Sequence, residues 1–188
     1  QDRDGQDPEE RAARARETAG ALKGERTEFS LPRDVAELRA AGCVGISDDG
    51  RPVKTALLMR RALEYAGMFN MPVLEHCEDP SLKGEGVAHE GYYASTLGLR
   101  GIPGAAESIM VQRDIALAEM TGAAVHICHM SAATSLRAVR EGKQHGARVT
   151  CEVTPHHLTL TDEWLATPVS YDTNTKMNPP LRGAADRD

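Results

Sequence analysis

From Asp34 onward, short apolar segments alternate with amphipathic segments, and this alternation constrains the fold more than any other feature of the sequence. The apolar segments, which predict strands, lie at residues 43–47, 71–76, 123–129 and 147–153. Helices are predicted at residues 34–41, 55–68, 105–120 and 133–145, and apolar side chains recur near helical spacing in the second of them. Strands that alternate with helices form βαβ units, so the sequence predicts an α/β fold with a parallel sheet. Strands that are apolar nearly throughout are typical of a sheet that is covered on both faces.

Each of the four predicted strands becomes polar at its carboxyl end. The four endings are Ser47-Asp48-Asp49-Gly50, His76-Cys77-Glu78-Asp79, His126-Ile127-Cys128-His129 and Thr154-Pro155-His156-His157. In a (β/α)8 barrel the carboxyl ends of all strands meet at one mouth, whereas in an open doubly wound sheet they converge only near a switch point. Four consecutive strands with polar endings therefore favour the barrel. A short helix is predicted near residues 162–165, and a last extended segment near residues 175–178 brings the predicted strands to about five.

The residue types at these endings are metal ligands. Aspartate and neutral imidazole suit a divalent metal such as zinc, and a metal held in this way lowers the pKa of bound water towards neutrality. Taken together, the endings predict that Asp49, His76 and His129 bind a metal. The chemistry that follows from such a site is metal-assisted hydrolysis.

Each of these residues also has a purely structural interpretation. A single histidine at a strand end is more often a hydrogen-bonded structural residue than a ligand. Asp48-Asp49-Gly50 alone is typical of a turn, in which glycine supplies a positive φ and aspartate caps backbone amides. For His156 and His157, which follow Pro155, we favour capping of the next helix over metal binding.

Composition excludes several classes of partner. The chain carries 22 Lys and Arg against 28 Asp and Glu, a formal net charge of -6, which argues against a nucleic-acid surface. No apolar run approaches the roughly 18 residues that span a bilayer, so no membrane partner is expected. The four cysteines form no CxxC pattern and fit reduced, buried thiols, which predicts a cytoplasmic protein.

The chain divides into two parts by composition. Residues 1–28 are dense in charge, glycine and alanine, and we expect a weakly anchored or disordered arm there. Residues 29–188 contain the alternating pattern and are predicted to form one partial barrel domain.

Five strings in this order resemble the dihydroorotases of the bacterial, multifunctional-complex type, members of the amidohydrolase superfamily. They are Gly45-Ile46-Ser47-Asp48-Asp49-Gly50, Glu75-His76-Cys77-Glu78-Asp79, Val125-His126-Ile127-Cys128-His129-Met130-Ser131, Glu152-Val153-Thr154-Pro155-His156-His157-Leu158 and Lys176-Met177-Asn178-Pro179-Pro180-Leu181-Arg182. The agreement in order and spacing covers residues 34–188. Any one string alone would be a weak match, and the five together are specific.

The resemblance implies part of a (β/α)8 barrel with a zinc centre. It implies reversible cyclisation of N-carbamoyl-L-aspartate to L-dihydroorotate, a step of pyrimidine biosynthesis. By position in the family's motifs, Asp49, His76 and His129 are the metal ligands and Asn178 contacts the substrate. The family's His-x-His strand has no counterpart here, and its catalytic aspartate belongs to a string expected beyond Asp188. We therefore expect an internal fragment that is inactive by itself and contains no catalytic residue.

Two other interpretations remain open. A hydantoinase or allantoinase is a related cyclic amidase, but such enzymes usually place a carboxylated lysine where this chain has Ser47-Asp48-Asp49-Gly50. A non-catalytic dihydroorotase-like subunit could instead act as a scaffold for aspartate transcarbamoylase. The partners expected from the resemblance are a small-molecule substrate and either a second copy of the chain or aspartate transcarbamoylase.

Overall fold

The structure, a computed structural model, describes residues 31–48 and 50–188. The predicted arm at residues 1–28 and the predicted metal ligand Asp49 lie outside the described residues. The helices are α1 (Leu31–Ala40), α2 (Ala56–Met68), α3 (Pro80–Lys83), α4 (Tyr92–Thr96), α5 (Ala105–Thr121), α6 (Ala133–Gln144), α7 (Pro155–Thr159) and α8 (Ala184–Arg187). The strands are β1 (Ile46–Ser47), β2 (Val73–Glu75), β3 (Ala88–His89), β4 (Gly101–Ile102), β5 (Val125–Ile127) and β6 (Val149–Cys151). Two 3-10 helices span Asp162–Leu165 and Thr173–Thr175.

The main sheet is parallel and has the strand order β1-β2-β5-β6. Each of its four strands falls within a predicted apolar segment, and helices α2, α5 and α6 lie between them in the chain, so the predicted βαβ alternation is confirmed. The register aligns Ser47, Leu74, His126 and Thr150 in one row across the sheet. The carboxyl ends of the strands consequently lie along one edge.

The segment at residues 175–178, predicted to be extended, forms no strand, so the main sheet contains four strands among the described residues where about five were expected. A 3-10 helix occupies Thr173–Thr175, with the Asp172 side chain accepting a hydrogen bond from the Asn174 amide. Pro179 and Pro180 follow, and proline has no N–H to donate to a strand ladder.

The glycine-rich region between β2 and α5, for which no strand was predicted, contains a second, two-stranded parallel sheet. In this sheet Ala88 pairs with Gly101, and His89 pairs with Ile102. Each strand has only two residues, which is too short to produce a recognisable period in the sequence. The pairing joins the two parts of this region to each other.

One face of the main sheet packs against the helices and forms the core. Val73, Val125, Ile127 and Val149 from the sheet are buried with Met59, Leu63, Met110, Val111 and Ile115 from α2 and α5. Burial of an aliphatic side chain of this size contributes about 1.5–3 kcal/mol, so this face provides much of the stability of the described domain. Within the described ranges, no helix combines the length and apolar character needed to cross a membrane.

Local signals define the ends of the long helices. The Thr55 hydroxyl accepts a hydrogen bond from the Leu58 amide and caps the start of α2. Helix α5 ends at Gly122, whose φ of 68° is in the left-handed region that favours glycine. These two caps lie within one or two residues of the predicted start of α2 and the predicted end of α5.

The four cysteines are all free thiols. Cys77 is buried, and Cys43 and Cys151 pack at the margin of the core. The prediction of buried thiols is therefore met by Cys77 alone, since the other three cysteines are partly exposed and Cys128 does not pack against the core.

Candidate functional site

Two of the three predicted metal ligands lie in direct contact. His76 follows β2 and is buried, with only 5% of its surface exposed. Its Nδ1 atom lies 3.1 Å from Nε2 of His129, which is two residues beyond the end of β5. Because β2 and β5 are neighbours in the sheet, side chains 53 positions apart in the chain meet at the same edge.

The backbone of His129 brings its ring into the site. Along β5 the side chains alternate, with Val125 and Ile127 in the core and His126 on the other face. Simple continuation of this alternation would place His129 on the core side. Its φ of 35° is uncommon for a residue other than glycine and turns the chain, so that the ring meets His76. Strained backbone of this kind is concentrated at functional sites.

Asn178 and Glu78 complete the polar cluster around His76. The Asn178 Nδ2 atom lies 3.1 Å from His76 Nε2 and 3.3 Å from Glu78 Oε2. Glu78 Oε2 also lies 3.4 Å from His76 Nε2 and accepts a hydrogen bond from the Lys83 ammonium group. Burial alone would raise the pKa of Glu78, but the hydrogen bonds from His76, Lys83 and Asn178 outweigh it and lower the pKa to about 2. Glu78 is therefore a buried carboxylate that stays ionised.

The sequence reasoning did not assign a role to Glu78 or Lys83. Glu78 belongs to one of the polar strand endings, two residues after His76, and that position was the available signal. Lys83 is the last residue of the short helix α3 and had no signal in the sequence.

Asp48 fits the turn interpretation of its string. Its Oδ2 accepts a hydrogen bond from the His76 amide at 2.9 Å, and its Oδ1 lies 3.4 Å from the Gly50 amide. Burial raises the pKa of Asp48, and hydrogen bonds from the two amides partly offset that effect. Asp48 thus joins the end of β1 to the end of β2 and helps to fix the position of His76.

A buried charged network supports the segment that follows β1. Glu75 Oε1 accepts a hydrogen bond from the Val53 amide at 2.9 Å, and Arg113 Nη1 donates to the Val53 carbonyl at 2.7 Å. Arg113 also donates to Asp114 at 2.7 Å and lies 3.4 Å from Glu75. Glu75 and Asp114 are fully buried, and burial together with the charges of Asp114 and Asp48 raises the pKa of Glu75 to about 8. Near neutral pH Glu75 is therefore largely protonated, and Arg113 is the charged partner of Asp114 and a close neighbour of Glu75.

A second network fixes the segment that follows His129. The Glu107 carboxylate accepts hydrogen bonds from the amides of Ser131, at 3.0 and 3.1 Å, and of Ala132, at 3.0 Å. Arg182 donates to Ser131 Oγ at 3.0 Å and to the Ile102 carbonyl at 2.7 Å. The segment that carries Asn178 and the turn that carries His129 are thereby tied to each other.

His157 takes a structural position. It is buried, its Nδ1 lies 2.6 Å from Thr154 Oγ1, and its Nε2 lies 3.0 Å from the Pro179 carbonyl oxygen. His157 thereby joins the start of α7 to the segment that carries Asn178. His156 lies beside it, with the two ring centroids 4.5 Å apart.

A His157→Asn variant is expected to show a weaker dependence of stability on pH. Burial lowers the pKa of His157 below its ordinary value of 6.5, and the hydrogen bond to Pro179 offsets only part of this. Below pH 6.5 the unfolded chain therefore binds more protons than the folded chain, and stability falls as the pH decreases through that range. One group contributes a slope of at most about 1.4 kcal/mol per pH unit.

The measurement is urea unfolding at a series of pH values from about 8 to about 5. His145→Asn is the matched control, because the His145 side chain is 72% exposed at the end of α6. The prediction would be contradicted if the unfolding free energy of His157→Asn changed with pH as steeply as that of the unmodified chain.

The donor set around His76 and His129 fits a zinc ion. Two nitrogens bound to one tetrahedral zinc at about 2.0–2.1 Å are about 3.3 Å apart, close to the 3.1 Å between these rings. With His76 Nδ1 facing the metal, His76 Nε2 faces Glu78, and a carboxylate in this position commonly orients a metal-binding histidine. Asp49, the third predicted ligand, lies outside the described residues.

Comparison with known proteins supports one family. Residues 7–135 match the family model described as Dihydro-orotase-like. The chain belongs to this family. A dihydroorotase from Pelotomaculum thermopropionicum is 58% identical over 153 residues, which are 81% of this chain and 35% of that protein. A dihydroorotase from Pelobacter propionicus is 53% identical over 169 residues, which are 90% of this chain and 38% of that protein.

Solved structures confirm the predicted fold class. A D-hydantoinase superposes with a TM-score of 0.67 and 25% identity, covering 82% of this chain and 35% of that structure. A dihydroorotase from Campylobacter jejuni superposes with a TM-score of 0.56 and 15% identity, covering 81% of this chain and 42% of that structure. The dihydroorotase-like chain is thus part of an amidohydrolase barrel, and it spans about a third of the length of the curated relatives it matches.

Proposed function

We propose that this chain is part of a zinc-dependent dihydroorotase, which reversibly hydrolyses the cyclic amide of L-dihydroorotate to N-carbamoyl-L-aspartate in pyrimidine biosynthesis. The observation that carries the proposal is the convergence of His76 and His129 beside Asn178 in a chain that is 53–58% identical to dihydroorotases. The proposed metal ligands are Asp49, His76 and His129, and the proposed substrate contact is Asn178.

The described residues hold and orient the reacting groups. His76 and His129 would hold the zinc, which when bound supplies a hydroxide nucleophile and polarises the amide carbonyl. Glu78 fixes the orientation of the His76 ring, and Lys83 keeps the Glu78 carboxylate ionised and in place. The Asn178 amide can donate one or two hydrogen bonds to a carboxylate of the substrate from its position beside the two histidines.

The related cyclic amidases have weaker support. Two D-hydantoinase structures match the fold at 25% and 21% identity, well below the values for the dihydroorotases. No lysine lies at Ser47, Asp48, Asp49 or Gly50, where a hydantoinase usually has its carboxylated lysine. The non-catalytic scaffold is also less well supported, because His76 and His129 are intact and in contact.

The proposed setting is the cytoplasm, in agreement with four free thiols. The proposed partners are the small-molecule substrate and either a second copy of the chain or aspartate transcarbamoylase. Size-exclusion chromatography with light scattering, alone and with aspartate transcarbamoylase, tests these two assemblies.

The test of the function is a substrate comparison. The full-length protein that contains this segment is loaded with zinc. It is assayed with L-dihydroorotate and with hydantoin, alongside the 188-residue chain. The proposal expects the full-length protein to turn over L-dihydroorotate but not hydantoin, and the 188-residue chain to turn over neither. Turnover of hydantoin without turnover of L-dihydroorotate would favour a hydantoinase, and binding of aspartate transcarbamoylase without any turnover would favour the scaffold.

An Asn178→Ala variant of the full-length protein is expected to bind the substrate more weakly. A hydrogen bond to a charged group contributes about 1.5–3 kcal/mol, which corresponds to a rise in KM of about 10–100-fold. Steady-state kinetics with L-dihydroorotate measure the change.

The control is Asn174→Ala. Asn174 is exposed in the 3-10 helix Thr173–Thr175 and bonds only to Asp172 among its described side-chain contacts. Unchanged KM and kcat in Asn178→Ala would refute the proposed substrate contact.

A further inference from the structure

A second group of side chains of metal-binding types lies on β5 and just beyond the ends of β5 and β6. One ligand atom from each of His126, Cys128 and Glu152 lies within 4.8 Å of the other two. His126 and Cys128 are partly exposed, and Glu152 is exposed. The group shares no residue with the proposed set of Asp49, His76 and His129.

The three side chains come together because of the sheet register. His126 pairs with Thr150 across β5 and β6, and residues two positions further along a strand point to the same face. Cys128 and Glu152 are those residues, so they follow His126 and Thr150 on the face opposite the core. This face is the one that His76 also occupies, one strand away.

The histidine of this group is already oriented for binding. His126 Nδ1 lies 2.8 Å from the Thr150 hydroxyl, and His126 Nε2 lies 3.6 Å from Glu152 Oε2. A histidine that binds a metal through one nitrogen usually holds its other nitrogen in a hydrogen bond, which fixes the ring and the tautomer. Thr150 is positioned to make that bond here, which leaves Nε2, on the side of Glu152, for a metal.

We propose that His126, Cys128 and Glu152 form a second divalent-cation site with a thiolate ligand, suited to Zn²⁺. Sulfur, imidazole nitrogen and carboxylate oxygen are the three ligand types that zinc takes in proteins, and three protein ligands leave a fourth position open. Hard cations such as Mg²⁺ and Ca²⁺ prefer sites built from oxygen alone, so the thiol selects against them. The site does not depend on the proposed dihydroorotase activity, because it uses different side chains.

The test is cobalt binding to the metal-free 188-residue chain under reducing conditions. Co²⁺ replaces Zn²⁺ and gives a near-ultraviolet charge-transfer absorption only when a thiolate binds it. The expected result is such a band in the unmodified chain, its loss in Cys128→Ser, and displacement of the Co²⁺ by Zn²⁺. Cys151→Ser is the matched control, because Cys151 lies next to Glu152 but packs at the core, and its band should be unchanged.

Two further variants test the remaining members of the site. Thr150→Val should weaken Co²⁺ binding about 10–100-fold, as is typical for the loss of a residue that orients a ligand. His126→Ala should weaken it further. His76→Ala and His129→Ala should leave the thiolate band in place, which separates this site from the proposed zinc centre.

A second measurement uses the unmodified thiol and does not rely on the cysteine variant folding. Zn²⁺ should slow the alkylation of Cys128, mapped by mass spectrometry, and His126→Ala should abolish that protection. A thiolate band that persists in Cys128→Ser would overturn the proposal. Loss of the band in His76→Ala would also overturn it, since the thiol would then belong to the other centre.

Discussion

Replacing His129 with alanine in the full-length protein that contains this segment is expected to abolish L-dihydroorotate hydrolysis and to lower the zinc content. The His129 ring lies 3.1 Å from His76, and the turn that carries it is fixed through Glu107, so no neighbouring imidazole can take its place without rearrangement. A metal provides several kcal/mol of charge stabilisation in the transition state, so its loss should lower kcat at least about 10³-fold. Steady-state kinetics and elemental analysis of the purified protein measure the two effects.

His145→Ala is the control for this experiment. It removes an exposed imidazole at the end of α6, whose side chain lies 3.9 Å from Glu119, and it should leave turnover and zinc content unchanged. His76→Ala should reproduce the effect of His129→Ala, and Asp49→Ala should do so on the basis of the family resemblance. Normal turnover in His129→Ala would refute the metal assignment.

Replacing Arg113 with alanine is expected to destabilise the chain by about 3–5 kcal/mol, the usual cost of removing one partner of a buried ion pair. Glu75 and Asp114 are fully buried, and Arg113 is the cation that contacts both carboxyl groups. Its removal also takes away the hydrogen bond that Arg113 donates to the Val53 carbonyl, which helps to hold the segment after β1 in position. Urea unfolding followed by circular dichroism measures the loss.

Arg61→Ala is the matched control. Arg61 is 59% exposed and pairs with Glu64 on the surface of α2, where such a pair contributes about 0.3–0.5 kcal/mol. Adding Asp114→Asn to Arg113→Ala should recover part of the lost stability, because the buried carboxyl group that lost its ion-pair partner is then removed. A cost in Arg113→Ala no larger than in Arg61→Ala would show that the buried network does not stabilise the fold.

Much of the fold follows from periodicity. Helices α2, α5 and α6 begin and end within one or two residues of their predicted bounds. Helical spacing of apolar residues marks α2, and glycines at 122 and 146 follow the ends of α5 and α6. Strands are predicted less well. The segment 43–47 forms a strand only at Ile46–Ser47, because the Cys43 amide bonds back to the Leu38 carbonyl at the end of α1.

The sequence predicts which residue types form the candidate site, but it does not predict the contacts between them. The polar strand endings identified His76 and His129, and the family resemblance added Asn178. No local pattern indicated Arg113, which meets the Val53 carbonyl across 60 positions, or Arg182, which meets the Ile102 carbonyl across 80 positions. Such contacts depend on which elements become neighbours, and periodicity within a segment carries no information about that.

The sequence by itself determined the α/β alternation, the polar edge of the sheet and the residue types that meet there. Each of these follows from a short-range pattern of residues within one segment of the chain. Only the tertiary structure decided that β2 lies beside β5 and that the backbone of His129 turns its ring towards His76. It also decided that His126, Cys128 and Glu152 share a face. These outcomes depend on strand order, register and backbone turns, which are set by the packing of the whole domain against its core.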